Sequence, residues 1–407
     1  MRPALAAAAL AVSLAACVGS KSPPGSSTPP PVVNVVPLGV DTGPAAASGR
    51  INHAYVSVKV CAAGSTSQCA TIDHVLLDTG STGLRLVRSV LTAAGLNLGS
   101  TTDAQGNAIE ECMTFGGGQT WGPVAAVDLS MGGESAAKLP IQILDDTAAG
   151  APAPSNCGAN GTLLNDVASF GANGLLGVGV FQQDCGPNCV NPTTPLPIYY
   201  GCTTAGVCTA ENLALGAQVS NPVASFKSDN NGVIVQLPNP ANANGDPSLA
   251  GQLIFGLGTQ SDNALPATGL VILDTDAQGE FSTVYNGGTT SLPAVIDSGS
   301  DAYEFNDPTI TQCTAGNFIG FYCPPVAPLS LSATNTGAGS GGSPDTVNFA
   351  IEDPNTFVAG AAALPGLAEG LGATTFTWGL PFFFGRSIYV GIEQHAAGAY
   401  NGPFFGY

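Results

Sequence analysis

From Tyr55 onward the chain carries apolar and polar residues in short alternating runs. YVSVKVC (55–61) keeps Val56, Val58 and Val60 on one face, and TIDHVLLDTGS (71–81) ends in a continuous apolar stretch. Both read as strands, joined by the loop from Ala62 to Gln68. CMTFGGGQTWGPVAAVDLSMGG (112–133) predicts a hairpin with a glycine-rich tip, and KLPIQIL (138–144) a further strand. Between Gln182 and Asn244 the pattern is diluted by Pro, Asn and four cysteines, leaving one expected strand pair at ASFK (224–227) and GVIVQLP (232–238). That segment reads as a crossing between two lobes. A second strand-rich block follows in GQLIFGLG (251–258), GLVILDT (269–275), FSTVY (281–285) and LPAVIDSGS (292–300). The glycine-rich run near Gly337 to Asp345 reads as a hairpin loop.

Composition sharpens this to a mainly β protein, because 54 Gly and 31 Pro in 407 residues imply many turns and few long helices. Only 9% of residues are charged, an extracellular style of surface. The net charge of −19 repels phosphate backbones, so nucleic acid is not expected as a partner. His53, His74 and His395 have no metal-ligand spacing, and neither a metal nor another cofactor is expected. DTDAQGE (274–280) reads as a turn rather than a calcium loop. GLLGVGV and FGLGTQ lack the strand, third glycine and helix of a nucleotide site.

The N-terminus has the form of a targeting segment. Arg2 precedes an apolar stretch from Ala4 to Ala16, too short to span a bilayer, so residues 1–16 read as a signal peptide. Leu14-Ala15-Ala16-Cys17 resembles a bacterial lipobox that would leave Cys17 acylated; the alternative is a plain signal peptide with an incidental Cys. Residues 17–49, opening with a Pro/Ser-rich run, then form a tether, followed by β lobes at 50–225 and 226–407. Val18 after the Cys resembles lipoproteins sent to the outer membrane. The expected location is therefore the cell envelope, facing the periplasm or cell surface, with membrane contact through the lipid only. Setting Cys17 aside leaves ten of eleven cysteines for an oxidising compartment. Proximity suggests Cys61–Cys69, Cys202–Cys208 and Cys313–Cys323, then Cys185–Cys189 and Cys112–Cys157, although spacing alone leaves other connectivities open.

An internal echo carries the chemistry. HVLLDTGSTGLRLV around Asp78 and LPAVIDSGSDAYEF around Asp297 repeat an apolar strand followed by Asp, hydroxyl, Gly and Ser. Each has a later partner, Leu175-Leu176-Gly177 in GLLGVG and Gly379 in TWGLPFFFGRSIYV, 99 and 82 residues after its Asp. Two carboxylates brought together this way cannot both ionise, so one serves as base and one as acid, with the proton belonging to the pair. Gly80 and Gly299 allow backbone N–H groups to approach the carboxylates. Ser81 and Ser300 are placed to hydrogen-bond the outer oxygens, and Thr79 and Ser298 to brace the lobes.

These residues resemble the pepsin-like aspartic peptidases over roughly Arg50 to Tyr407, and with the lipobox they resemble a bacterial envelope lipoprotein family bearing pepsin-like motifs. YVSVKV is similar to the first strand of the peptidases, FGGGQTWG to their flap hairpin, NGLLGVG to their first ψ loop, QVSNPVASF to the lobe-crossing strand and GQLIFG to the start of the second lobe. The resemblance implies a bilobal fold with a cleft between the lobes, catalytic Asp78 and Asp297, and a flap at Phe115, Gly116, Gly117, Gly118 and Trp121. It implies an endopeptidase acting as a monomer on an extended peptide or protein; the alternative is a non-catalytic peptide- or protein-binding lipoprotein on the same scaffold. Four positions depart from the pattern. Phe115 stands for the usual flap tyrosine, Arg85 for the Trp that pairs with it, Leu380 for an Asp after the second ψ-loop glycine, and Asp301 for a small hydroxyl residue. Trp121 is expected either to cap the cleft in compensation or to pack within the hairpin. Asp301, if aimed at the dyad, would raise the pair's pKa values.

Overall fold

The computed structural model describes residues 34–407 apart from 158–162, 340–342 and 371–373. The signal peptide and Cys17 lie outside the described residues. The tether expected over 17–49 is corrected at its C-terminal end, where β1 (Val35–Val40) buries Val36, Leu38 and Val40 on one face. It pairs along its whole length with a strand of the second half. Alternation in VVPLGV, placed directly after the Pro-rich run, outweighs the tether-like composition around it.

The first half builds β2 (Ala54–Ala62), β3 (Cys69–Asp78), β4 (Thr82–Val87), the short helix α1 (Arg88–Ala93), β5 (Ala108–Phe115), β6 (Gly118–Met131), β7 (Glu134–Leu144), one turn of helix α2 (Val167–Phe170) and β8 (Gly174–Val178). β8 is apolar at every position but its two glycines and is buried throughout, as a strand covered on both faces must be. It enters parallel to β3, opposing Asp78 with Gly177, and antiparallel to β4, which runs parallel to β7. The local order is β3-β8-β4-β7.

Next come β9 (Tyr199–Cys202), β10 (Cys208–Ala210), β11 (Gly232–Leu237), β12 (Leu249–Phe255), β13 (Ile272–Asp274), β14 (Phe281–Tyr285), β15 (Ser291–Ile296) and β16 (Tyr303–Glu304). β17 (Leu329–Thr336), β18 (Asp345–Ile351), β19 (Ala368–Glu369), β20 (Phe376–Trp378), β21 (Arg386–Gly391), β22 (Ala396–Ala397), β23 (Tyr400–Asn401) and β24 (Phe404–Gly406) complete the chain. Here β20 lies parallel to β15 and antiparallel to β16, and β16 runs parallel to β19. The order β15-β20-β16-β19 reproduces β3-β8-β4-β7 pairing for pairing. The repeat read from the two Asp motifs is thus a repeat of topology, and the fold is mainly β, two-lobed and pepsin-like.

β1, β11, β12, β13, β21 and β24 continue the sheet of the first half, so the division placed at 225/226 is not a sheet boundary; the separate seven-stranded sheet spans β14 to β20. The strand expected at ASFK is a 3-10 turn at Val223–Ser225, and β11 pairs with β12 and β21 instead. Asn221 and Pro222 set that turn, because the Asn221 side chain accepts the Val223 N–H. All five disulfides suggested by proximity are formed, Cys61–Cys69, Cys112–Cys157, Cys185–Cys189, Cys202–Cys208 and Cys313–Cys323. One apolar core joins residues of both halves, from Val36 and Leu77 to Ile296, Trp378 and Phe405.

A Cβ on Gly379 would fall within the van der Waals shell of the Ala302 carbonyl oxygen, at the second ψ crossing. Gly379→Ala should therefore destabilise the fold by on the order of 3 kcal/mol or more, while Gly99→Ala, with open space around it, should stay within about 0.5 kcal/mol of the parent. Denaturant unfolding of the two variants checks this; equal midpoints would show that the crossing tolerates separation.

Candidate active site

Asp78 closes β3, and Asp297 follows directly on β15. Parallel β8 and β20 hold the two strand ends, so the DTGS and DSGS turns meet face to face. Their hydroxyl residues interlock beneath the carboxylates. Thr79 Oγ1 donates to the Ile296 carbonyl at 2.8 Å and accepts the Ser298 N–H at 2.9 Å. Ser298 Oγ donates to the Leu77 carbonyl at 2.7 Å and accepts the Thr79 N–H at 3.1 Å. Both side chains are buried, so each bond replaces water that cannot reach them.

Each carboxylate is held in the same way within its own turn. The Gly80 N–H donates to Asp78 Oδ1 at 2.8 Å and Ser81 Oγ to Asp78 Oδ2. The Gly299 N–H donates to Asp297 Oδ1 and Ser300 Oγ to Asp297 Oδ2, both at 2.7 Å. The glycines matter across the junction: a Cβ on Gly80 would lie 2.6 Å from Asp297 Cγ, and one on Gly299 2.9 Å from Asp78 Cγ. Burial first, then the Asp297 charge and a hydrogen bond with it, hold the Asp78 carboxyl well above the ordinary range. A carboxyl raised in this way keeps its proton beside the neighbouring acid.

The dyad lies in a cleft of about 690 Å³ whose walls differ chemically. Leu76, Phe115, Leu164, Phe170 and Leu175 form an apolar side under the hairpin tip Gly116–Gly117. Asp301, Glu304 and Glu369 form an acidic side, with His53 also lining the space. Burial, then the charge of Glu304, pushes Asp301 up to about 7. Burial, then Asp301 and Glu304, takes Glu369 to about 8. Glu304 is raised by burial and then by the Asp297 charge, and it hydrogen-bonds Ser300 and Thr377. Asp301 therefore responds to Glu304 and acts on Glu369 rather than on Asp78, and Glu304 is the wall carboxyl that feels the dyad. Glu304 and Glu369 were missed in the sequence. A signal existed for Glu304, which stands seven residues after Asp297 just as Arg85 stands seven after Asp78.

The expectation that Trp121 belongs to the cleft is overturned. The two-residue turn pairs Phe115 with Gly118 and Cys112 with Trp121, which sets Trp121 at the root of the hairpin beside the Cys112–Cys157 bridge. There it is buried, meets Tyr200 edge-on at 5.4 Å and donates Nε1–H to the Ala151 carbonyl at 2.7 Å. Gly118 opens β6 and does not line the cleft, whereas Phe115, Gly116 and Gly117 do. Leu380 is wholly buried, and its N–H donates to the Ser300 carbonyl at 2.8 Å, supporting the second turn through its backbone. His74 sits beside Asp41 and Asp73.

Residues 30–407 match the family described as "Protein of unknown function (DUF3443)", and the chain belongs to that family. No curated protein matches it. Among solved structures it is similar to an aspartic proteinase from Irpex lacteus at 14% identity and a TM-score of 0.47, over 91% of this chain and 96% of that one.

Raised carboxyls give stability a definite sign with pH. Folded Asp301 and Glu369 bind protons that the unfolded chain has released, so their contribution is complete below the ordinary carboxyl range and is lost as pH rises through about 7 and about 8. The melting temperature should be higher near pH 4.5 than near pH 8.5. Asp301→Asn combined with Glu369→Gln should narrow the gap; an unaltered gap would place its origin outside the cleft.

Proposed function

We propose that the protein is an aspartic-type endopeptidase. The observation that supports this most is the reciprocally braced pair of buried Asp78 and partly buried Asp297, each accepting one backbone and one hydroxyl hydrogen bond. In this reading the ionised member takes a proton from a water as its oxygen attacks the scissile carbonyl. The protonated member gives its proton to the carbonyl oxygen. The resulting gem-diol collapses with a proton delivered to the leaving amine, so no covalent intermediate with the protein forms. Hydrogen bonds from Gly80, Ser81, Gly299 and Ser300 hold the carboxylates in place through both proton transfers. An extended peptide crossing the cleft would set apolar side chains against Leu76, Phe170 and Leu175, under the tip at Gly116 and Gly117.

Asp78→Asn and Asp297→Asn should each lower cleavage of a denatured protein by about 10²–10⁴-fold, as loss of general acid–base catalysis does, with melting temperatures at or above the parent's. Cleavage is followed from about pH 3 to pH 8. No cleavage at any pH by a chain shown to be folded would reject the peptidase reading and leave a peptide-binding protein on the same cleft.

We also infer an envelope lipoprotein, acylated at Cys17 and bearing its body outside the cytoplasm. Ten disulfide-bonded cysteines support an oxidising compartment. Cys17→Ser should move the protein from the membrane fraction to the soluble fraction; retention in the membrane would count against the anchor.

A further inference from the structure

Arg85 is wholly buried in β4, the strand that leaves the Asp78 turn. Its guanidinium Nη2 donates to Glu111 Oε1 at 2.8 Å and Asp184 Oδ2 at 2.9 Å. Nη1 donates to the Thr82 carbonyl at 2.7 Å, and Nε to Gln142 Oε1 at 3.1 Å. Gln142 in turn donates to the Glu111 carbonyl at 2.8 Å and accepts from Thr120 Oγ1 at 2.9 Å, which ties in both strands of the flap hairpin. Tyr199 completes the cluster by donating to Asp184 Oδ1 at 2.5 Å.

Two features of this cluster go beyond anchoring a strand. The guanidinium carbon lies 5.4 Å from the centroid of the Phe115 ring, within range of a cation–π contact, and Phe115 is the residue next to the tip. Glu111 Oε2 is buried without a hydrogen-bond partner. Burial, opposed by Arg85 and reinforced by Asp184, holds the Glu111 carboxyl well above the ordinary range, so Glu111 keeps its proton. One cation then faces one net anion, and the guanidinium face remains available to the ring.

We propose that Arg85 is a positioning residue for the flap: anchored beneath the hairpin, it holds the Phe115 ring through its cationic face and so sets the height of Gly116 and Gly117 above Asp78 and Asp297. The peptidase reading enters only where turnover is measured; the positioning itself is read from the backbone.

The test is amide hydrogen exchange over residues 113–118 in the full-length protein. Phe115→Leu should speed exchange there by about 5- to 30-fold, the range expected for a partly desolvated cation–π contact, while Phe115→Tyr should match the parent. Neutralising the cluster as Arg85→Met with Glu111→Gln and Asp184→Asn should speed it similarly, and adding Phe115→Leu to that background should add little. If Phe115→Leu has its full effect in the neutral background, Arg85 does not hold the ring and the proposal is overturned. Should the neutral background fail to fold, mono- and trifluorinated phenylalanine at position 115 weaken the ring's quadrupole at nearly constant shape. Exchange rising stepwise with fluorination supports the proposal, and flat exchange overturns it. Where cleavage is detected, the same fluorination series should raise KM before kcat falls, a split that loss of bulk stability would not produce.

Discussion

Two carboxyl groups that repel each other and resist burial must nevertheless be held side by side, and the rest of the molecule is arranged around that requirement. The interlock of Thr79 and Ser298 supplies four hydrogen bonds beneath the dyad, each crossing from one half of the chain to the other. It functions only if both strand ends arrive at the same height. The parallel insertions of β8 and β20 ensure this by pairing with β3 and β15 up to the two Asp turns. Gly80 and Gly299 then lie against the opposite carboxylate, where a side chain would push the halves apart. Brace, crossing and glycine form one device made twice.

The duplication is faithful in its backbone and divergent in its chemistry. Position seven after each Asp points into the region below the hairpin in the first half and into the cleft wall in the second. It carries a guanidinium in one case and a carboxyl in the other. Arg85 is surrounded by partners and its charge is absorbed internally. Glu304 has hydroxyl partners and carboxyl neighbours, so its charge is disfavoured and remains responsive to what enters the cleft. One half thus contributes a rigid support to the flap, and the other an acidic surface beside the dyad.

Much of this was legible in the sequence because it was written locally or twice. The Asp motifs declare themselves by repetition, the hairpin by its glycines, and the disulfides by short separations: four of the five close loops of ten residues or fewer. What was not legible depended on long-range register. β1 resembles the end of a linker until β12 is placed beside it, more than two hundred residues away. Trp121 changes surroundings by the register of one hairpin, since a ring at the tip and a ring at the root differ only in which residues the turn pairs. ASFK has strand composition but follows an Asn-Pro turn that the backbone obeys first. Glu304 and Glu369 are brought together by parallel pairing of β16 with β19, which no local pattern announces.

Carboxyl groups outnumber counter-charges at the dyad, at the Glu111–Asp184 pair beneath the flap, and along the wall formed by Asp301, Glu304 and Glu369. Removing such groups from water without a cation favours retention of a proton rather than ionisation. With nine basic residues against 28 acidic ones, the chain has few cations to offer them. The shortage has a structural use. A carboxyl that keeps its proton can donate a hydrogen bond, which the proposed acid catalysis at the dyad would use, and it lets one guanidinium balance two acids below the flap. An added lysine at either place would ionise the neighbouring acid and remove its donor, so the scarcity of positive charge is part of how the site is built.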